Sequence, residues 1–164
     1  MFSDKIQSLS SQVIEKSAEK NFRISTAESC TGGLIISALT EISGSSKVVD
    51  SGYITYSNEA KIKLVNVQKE TLEKYGAVSE QTATQMAKGA QINSGSHITV
   101  AVSGVAGPTG GSAEKPVGLV YFAFCIGKKN VTFEKVFMGN RHEIRMQTVE
   151  TALYFIEEEL NKLA

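Results

Sequence analysis

A serine, a cysteine and a lysine carry most of the chemistry that this sequence offers. Ser29 and Cys30 stand in the run Glu28, Ser29, Cys30, Thr31, Gly32, Gly33, between a β-rich segment and an apolar segment of helical length. Backbone N–H groups at a strand-to-helix junction lack internal partners and favour negative charge. The glycines remove side chains that would keep a substrate off the backbone, as an acyl-transfer site with an oxyanion hole requires. An ordinary helix N-cap has the same pattern, and on local grounds alone that reading carries more weight. Cys30 is the rival nucleophile, because a thiolate is the better attacker and a helix N-terminus lowers a thiol pKa.

A serine hydroxyl needs a base, and neither His97 nor His142 has a context that puts it beside Ser29. Lys61 follows Tyr56, Ser57, Asn58, Glu59 and Ala60, where a strand gives way to a helix, and from there it reaches the same edge of the sheet. A Ser-Lys pair works when burial and neighbouring positive charge lower the lysine pKa from about 10.4 toward neutrality. Read without context, Lys61 is a solvated surface charge. A third candidate is the stretch from Ser103 to Ser112, which leaves a strand with several exposed N–H groups of the kind that cradle phosphate. It is neither a P-loop, since no GK[ST] follows, nor a dinucleotide fingerprint, and a wide turn has the same composition. Arg141 and Arg145, four apart on one helical face, supply the charged half of such a site, although surface arginine is the default. Tyr56 and Tyr121 offer hydroxyl donors, with buried strand tyrosine as the equal alternative.

These groups must be positioned by elements whose periodicity is readable. Ile6, Leu9, Val13 and Ile14 fall on one face of a first helix, and residues 21–27 read as a strand running into Glu28. A helix follows over Leu34 to Leu39, a strand over 48–56, and short helices over 58–65 and 68–75, the second closed by Gly76. Ser79 caps a longer helix to about Asn93. Strands are expected at 97–105, 117–126 and 131–137, the last two joined by a hairpin at Gly127 to Asn130. Val149, Ala152, Leu153, Ile156, Leu160 and Leu163 make the apolar stripe of a final helix beginning near Arg141, with Glu157, Glu158 and Glu159 as a solvated face. Alternating strands and helices followed by a hairpin predict one mixed sheet covered on both faces, a three-layer α/β/α sandwich.

Composition narrows the function classes. With 164 residues, 41% of them hydrophobic, the chain is long enough for one core over residues 1–164 without disulfide staples. No apolar run approaches the roughly 20 residues of a membrane span, and the amino end lacks the apolar centre of a secretory signal, which predicts a cytoplasmic protein without membrane contact. Two cysteines, Cys30 and Cys125, and two histidines give no ligand spacing for zinc, so no metal is expected. Balanced charge, 17 basic against 17 acidic side chains, argues against nucleic acid as a partner.

Five segments taken together alter the local odds: TAESCTGG at 26–33, GYITYSNEAK at 52–61, YGAVSEQT at 75–82, SGVAGPTGGSAEKPVGLVYFA at 103–123 and NRHEIRMQ at 140–147. In order and spacing they resemble the CinA carboxy-terminal family over residues 5 to 160, and the chain looks like the stand-alone form, without the molybdopterin-binding-like domain of longer members. The resemblance implies an α/β/α fold, no cofactor or metal, and homodimers. It also implies hydrolysis of the carboxamide of nicotinamide mononucleotide to nicotinic acid mononucleotide and ammonia, a step of pyridine-nucleotide salvage. On this mapping Ser29 is the nucleophile and Lys61 the general base, with Tyr56 beside them. Thr31, Gly32 and Gly33 lie at the oxyanion, and Ser103, Gly104, Gly107 and Arg145 bind substrate, Arg145 through its phosphate. Thr109 falls where the family varies. The alternative is a non-catalytic nucleotide-sensing or partner-binding module on the same fold, because a fold does not by itself imply turnover.

Overall fold

Polar caps and apolar spacing place the helices where the sequence expects them. In the computed structural model, which describes residues 1–163, the elements are α1 (Asp4–Glu19), β1 (Ile24–Glu28), α2 (Leu34–Thr40), β2 (Val49–Ile54), α3 (Asn58–Val65), α4 (Lys69–Tyr75), α5 (Glu80–Ser94), β3 (Ile98–Gly104), β4 (Leu119–Ile126), β5 (Lys129–Val136) and α6 (Arg141–Lys162). The side chains of Ser3, Ser57, Ser79 and Asn140 accept the backbone N–H three residues on, which satisfies one orphan donor at the start of α1, α3, α5 and α6. At α6 the Glu143 carboxylate returns the bond to the Asn140 N–H, completing a capping box.

The sheet runs β2-β1-β3-β4-β5. β1 pairs in parallel with β2 and β3, whereas β3–β4 and β4–β5 are antiparallel. The hairpin is tighter than expected: Ile126 pairs with Lys129 and Cys125 with Asn130, so the turn is Gly127-Lys128 and the strand starts two residues earlier. Period-2 alternation sorts side chains by size. Val100, Val102, Phe122 and Phe124 face a core shared with α1, α2 and α6, while Ala27, Ala101, Ala123 and Cys125 face a second core shared with α3, α4 and α5. The three-layer α/β/α arrangement with a mixed sheet is therefore as the sequence predicts, and small residues on one face let α5 come close.

That close approach also seats α3. A Cβ on Gly89, in mid-α5, would lie 1.7 Å from the Val65 carbonyl oxygen, so only glycine lets the end of α3 rest on the α5 backbone. The β1-to-β2 connection contributes α2 to one face, and the β2-to-β3 connection contributes α3 to α5 to the other. The carboxyl ends of β1 and β3 consequently flank a topological switch point, where open α/β sheets leave a crevice.

One expectation fails on α6. Glu157 and Glu159 are buried rather than solvated: Glu157 pairs with Lys16 of α1, and Glu159 takes Lys129 of β5 and Lys162. They flank the apolar stripe, and lysines from neighbouring elements meet them there, a partnership that helical periodicity does not reveal.

Candidate active site

Ser29 is the first residue beyond β1, and its N–H donates to the Val102 carbonyl of β3 at 3.0 Å, which extends the sheet pairing by one residue. The parallel partner β2 ends at Ile54, and Thr55 is drawn to the same level by its N–H to the Glu28 carbonyl at 2.9 Å. The chain then caps α3 through Ser57, and Lys61, one turn into that helix, points back to the end of β1. Its Nζ lies 3.0 Å from Ser29 Oγ, 2.8 Å from the Thr55 carbonyl and 3.3 Å from the Tyr56 carbonyl. Only 1% of Lys61 is exposed, which puts it with Phe122 and Phe124 among the large side chains most fully enclosed in the described residues. Burial lowers its pKa from 10.5 to about 8. No carboxylate is among its partners to restore the charge. Two carbonyls occupy two N–H bonds of a neutral amine, which leaves its lone pair for the serine hydroxyl.

Glu28, adjacent to Ser29 and fully buried, neither faces solvent nor touches this amine. Its carboxylate accepts the Ile35 N–H at 2.8 Å, the Ile36 N–H at 3.0 Å, and the hydroxyls of Thr31 at 2.7 Å and Thr26 at 3.0 Å. The cap residue of α2, Gly33, has no side chain to do this, so a strand carboxylate holds the positive end of the helix. Two sequence expectations change as a result. The helix start expected to present free N–H groups behind Ser29 is already occupied by Glu28, and residues 29–33 form the turn between strand and helix. Cys30, expected to gain acidity from that helix start, is 6% exposed and its thiol is pushed up to about 12 by burial, which removes it as a thiolate nucleophile.

Ser29, Cys30 and Lys61 open onto a cavity of about 400 Å³, within the roughly 300–1,000 Å³ of small-ligand sites. Ser103 and Gly104 at the end of β3, and Gly107, Thr109 and Gly110 beyond it, make one wall; Ala77 and Val78 make another. The Ser103 hydroxyl donates to the Ala77 carbonyl at 2.7 Å, and a Cβ on Gly104 would strike the Leu119 carbonyl at 2.6 Å. Tyr56 stands at the rim, well exposed; its carbonyl meets Lys61, and its hydroxyl accepts a hydrogen bond from Arg141 at 3.2 Å. Arg141 also donates to the Gly107 carbonyl at 2.8 Å. Among the described residues, the backbone N–H groups of Thr31, Ala106, Gly107, Thr109 and Gly110 donate to no other backbone group, and that of Cys30 meets only its own thiol. No acidic side chain lines the cavity.

The structure does not bring every expected residue to that surface. Thr31, Gly32 and Gly33 lie behind it: the Thr31 hydroxyl serves Glu28, and the Gly32 N–H already donates to the Ser29 carbonyl at 3.1 Å. Arg145 is also outside the lining, its Nε on the Cys30 carbonyl and one Nη on the Thr31 carbonyl, both at 3.0 Å. It braces the turn from the α6 side, and Arg141, one helical turn earlier, is the arginine that reaches the cavity. Ala77, Val78 and the capping role of Glu28 escaped the sequence reading. A carboxylate at the end of a strand, ahead of a helix whose own cap position is glycine, was the available signal for the last. Among the described residues no three His, Cys, Asp or Glu side chains are grouped to hold a metal, and no helix is long and apolar enough to cross a membrane.

Comparison with known proteins places this geometry in context. The family description "CinA C-terminal domain" matches residues 6–160. A CinA-like protein of Kosmotoga olearia is 46% identical over 154 residues, covering 94% of this chain and 37% of the relative. The chain thus spans about a third of the length of the curated relatives it matches. Among solved structures, the competence/damage inducible protein CihA from Agrobacterium tumefaciens superposes with a TM-score of 0.95 at 49% identity, covering 98% of both chains. A competence-damaged protein (CinA) superfamily protein from Klebsiella pneumoniae gives 0.92 at 34% identity, over 96% of this chain and 98% of that one.

Proposed function

The chain belongs to the CinA C-terminal domain family, and from that premise and the contact between Lys61 and Ser29 we propose that it is an amidohydrolase converting nicotinamide mononucleotide and water to nicotinic acid mononucleotide and ammonia. The observation that carries the reading is the buried amine 3.0 Å from the hydroxyl of a cavity-lining serine. With a pKa of about 8, about a quarter of Lys61 is neutral at pH 7.5, so a base is present without histidine.

Neutral Lys61 takes the Ser29 proton as Oγ bonds to the amide carbon, and the Cys30 N–H, next in sequence to the nucleophile, donates to the developing oxyanion. The ammonium of Lys61 then protonates the departing nitrogen, the C–N bond breaks, and ammonia leaves an acyl-serine. Water attacks this ester while the same amine takes its proton, and the carboxylate product and free hydroxyl are restored. Arg141 and the free amides of residues 106–110 anchor the phosphate away from the reacting carbon. This is binding energy that orients the amide over Ser29, and the absence of acidic lining suits an anionic substrate.

Ammonia release from the mononucleotide tests the reading. The wild-type chain turns it over, and Ser29→Ala loses at least about a thousandfold in kcat while still binding the nucleotide by calorimetry. Normal turnover by that variant would remove the nucleophile assignment. Tight binding without any wild-type product would instead make the chain a nucleotide-sensing module.

A further inference from the structure

Two loops face each other across the cavity, and a side chain outside it ties them together. The segment from Val105 to Gly118 contributes Gly107, Thr109 and Gly110 to one wall; it is closed at its base by the Val105 N–H to the Leu119 carbonyl and the Gly118 N–H to the Val105 carbonyl, both at 2.8 Å. Between these ends residues 108–114 are exposed, with Gly111 lying against Val117 of the same segment. The opposite wall, Ala77 and Val78, follows the end of α4 and is held to β3 by the Ser103 hydroxyl.

Lys115 bridges the gap. Its Nζ donates to the carbonyl of Tyr75, the last residue of α4, at 2.6 Å. This carbonyl is one of those left unpaired at a helix end, where a cation is favoured. The backbone on both sides is shaped for the contact. At Gly76 φ is +79°, and a Cβ there would stand 3.0 Å from the Lys115 Nζ, so the glycine leaves room for the ammonium. On the other side, Ser112 and Lys115 close a turn, Ser112 N–H to the Lys115 carbonyl at 2.9 Å and Lys115 N–H to Ser112 Oγ at 3.0 Å. Among the described residues Lys115 has no carboxylate partner, so the helix end is its only counter-pole.

We propose that Lys115 is a positioning residue that determines specificity: by clipping the 107–117 loop to the end of α4 it fixes the separation of the two cavity walls, and so the preference for a substrate with a terminal phosphate over the same amide without one. The inference rests on the amidohydrolase reading for its substrate, but the clip itself does not. Four amides of residues 106–110 can converge on an anion only while the loop is held. A free loop leaves them dispersed, and ordering them again on binding weakens affinity without touching Ser29 or Lys61.

The experiment compares wild type, Lys115→Ala and Lys115→Arg by amide hydrogen exchange and by kinetics on nicotinamide mononucleotide and on the corresponding nucleoside. In Lys115→Ala, exchange of the hydrogen-bonded amides beside the clip, those of Gly76, Ser112 and residue 115, rises about tenfold while that of β1 and β3 stays unchanged. KM for the mononucleotide rises about tenfold with kcat within about twofold, the nucleoside is unaffected, and arginine restores both readouts. Unchanged exchange overturns the clip. Faster exchange with unchanged KM, or an equal loss of kcat on both substrates, overturns its role in specificity. If the wild type releases no ammonia at all, the amidohydrolase reading fails, and the exchange measurement still decides the clip.

Discussion

Replacing Lys61 by methionine should abolish turnover and at the same time change how stability depends on pH. Folding moves the lysine from a pKa of 10.5 to about 8 because the native site withdraws its ammonium from water. Well below pH 8 the group is protonated in both states and the folded protein bears the desolvation penalty, about 3 kcal/mol at pH 7. Between pH 8 and 10.5 the unfolded chain still holds the proton and the native one has released it, so wild-type stability rises with pH in this window and the penalty falls to about 1 kcal/mol at pH 9.5. Methionine removes this dependence. It also gives up three hydrogen bonds, to Ser29, Thr55 and Tyr56, each worth about 1 kcal/mol. The two effects nearly cancel at neutral pH, where the variant should lie within about 1 kcal/mol of wild type. On raising the pH to 9.5 the wild type gains about 2 kcal/mol on the variant. Urea unfolding of both proteins at pH 7 and 9.5 measures this, other titrating groups cancelling in the difference. A difference that stays flat would mean Lys61 does not release its proton near pH 8, and the general-base argument would lose its foundation.

Glu28→Gln leaves one carbonyl oxygen where two oxygens accepted four hydrogen bonds, and sets an NH₂ against N–H or O–H donors. The variant should lose about 2–3 kcal/mol in thermal or urea unfolding, and kcat should fall because the turn carrying Ser29 shifts. Cys30→Ala should keep turnover within about twofold and lose about 1 kcal/mol of stability, and wild-type activity should resist iodoacetamide at pH 8, since the thiol is held at about 12; loss of activity in both assays would return Cys30 to the mechanism. Gly89→Ala drives a methyl into the Val65 carbonyl, so it should lose at least about 2 kcal/mol and lower kcat by displacing α3, on which Lys61 rides. Unchanged kinetics would show that α3 need not rest on α5 to present the amine.

The architecture was legible because local signals agreed with one another. Ser79 marks a helix start by a capping chemistry that acts within three residues, and the apolar spacing of α1 and α6 survives any arrangement of neighbours. The alternation of strands and helices, then a hairpin, bounds the fold to a mixed three-layer sandwich. Errors arose where an interaction crosses between elements. Glu157 and Glu159 look like a wet face until Lys16 and Lys129 arrive from α1 and β5. Arg141 and Arg145 share a helical face, so only the seating of α6 decides that one reaches the cavity and the other braces the Cys30 and Thr31 carbonyls.

Chain order alone established which groups were available: a serine at the end of a strand, a lysine one turn into a helix, and a glycine-rich loop leaving another strand. It could not make that lysine a base, because an amine becomes neutral only when water is taken from it. That withdrawal comes from the parallel pairing of β1 with β2, the seating of α3 on a bare glycine of α5, and the commitment of the neighbouring Glu28 carboxylate to α2 instead of to Lys61. Solvation and the distance between residues 29 and 61 belong to the packed molecule, and on them depends whether the two side chains form a reacting pair or remain a surface charge and a helix cap.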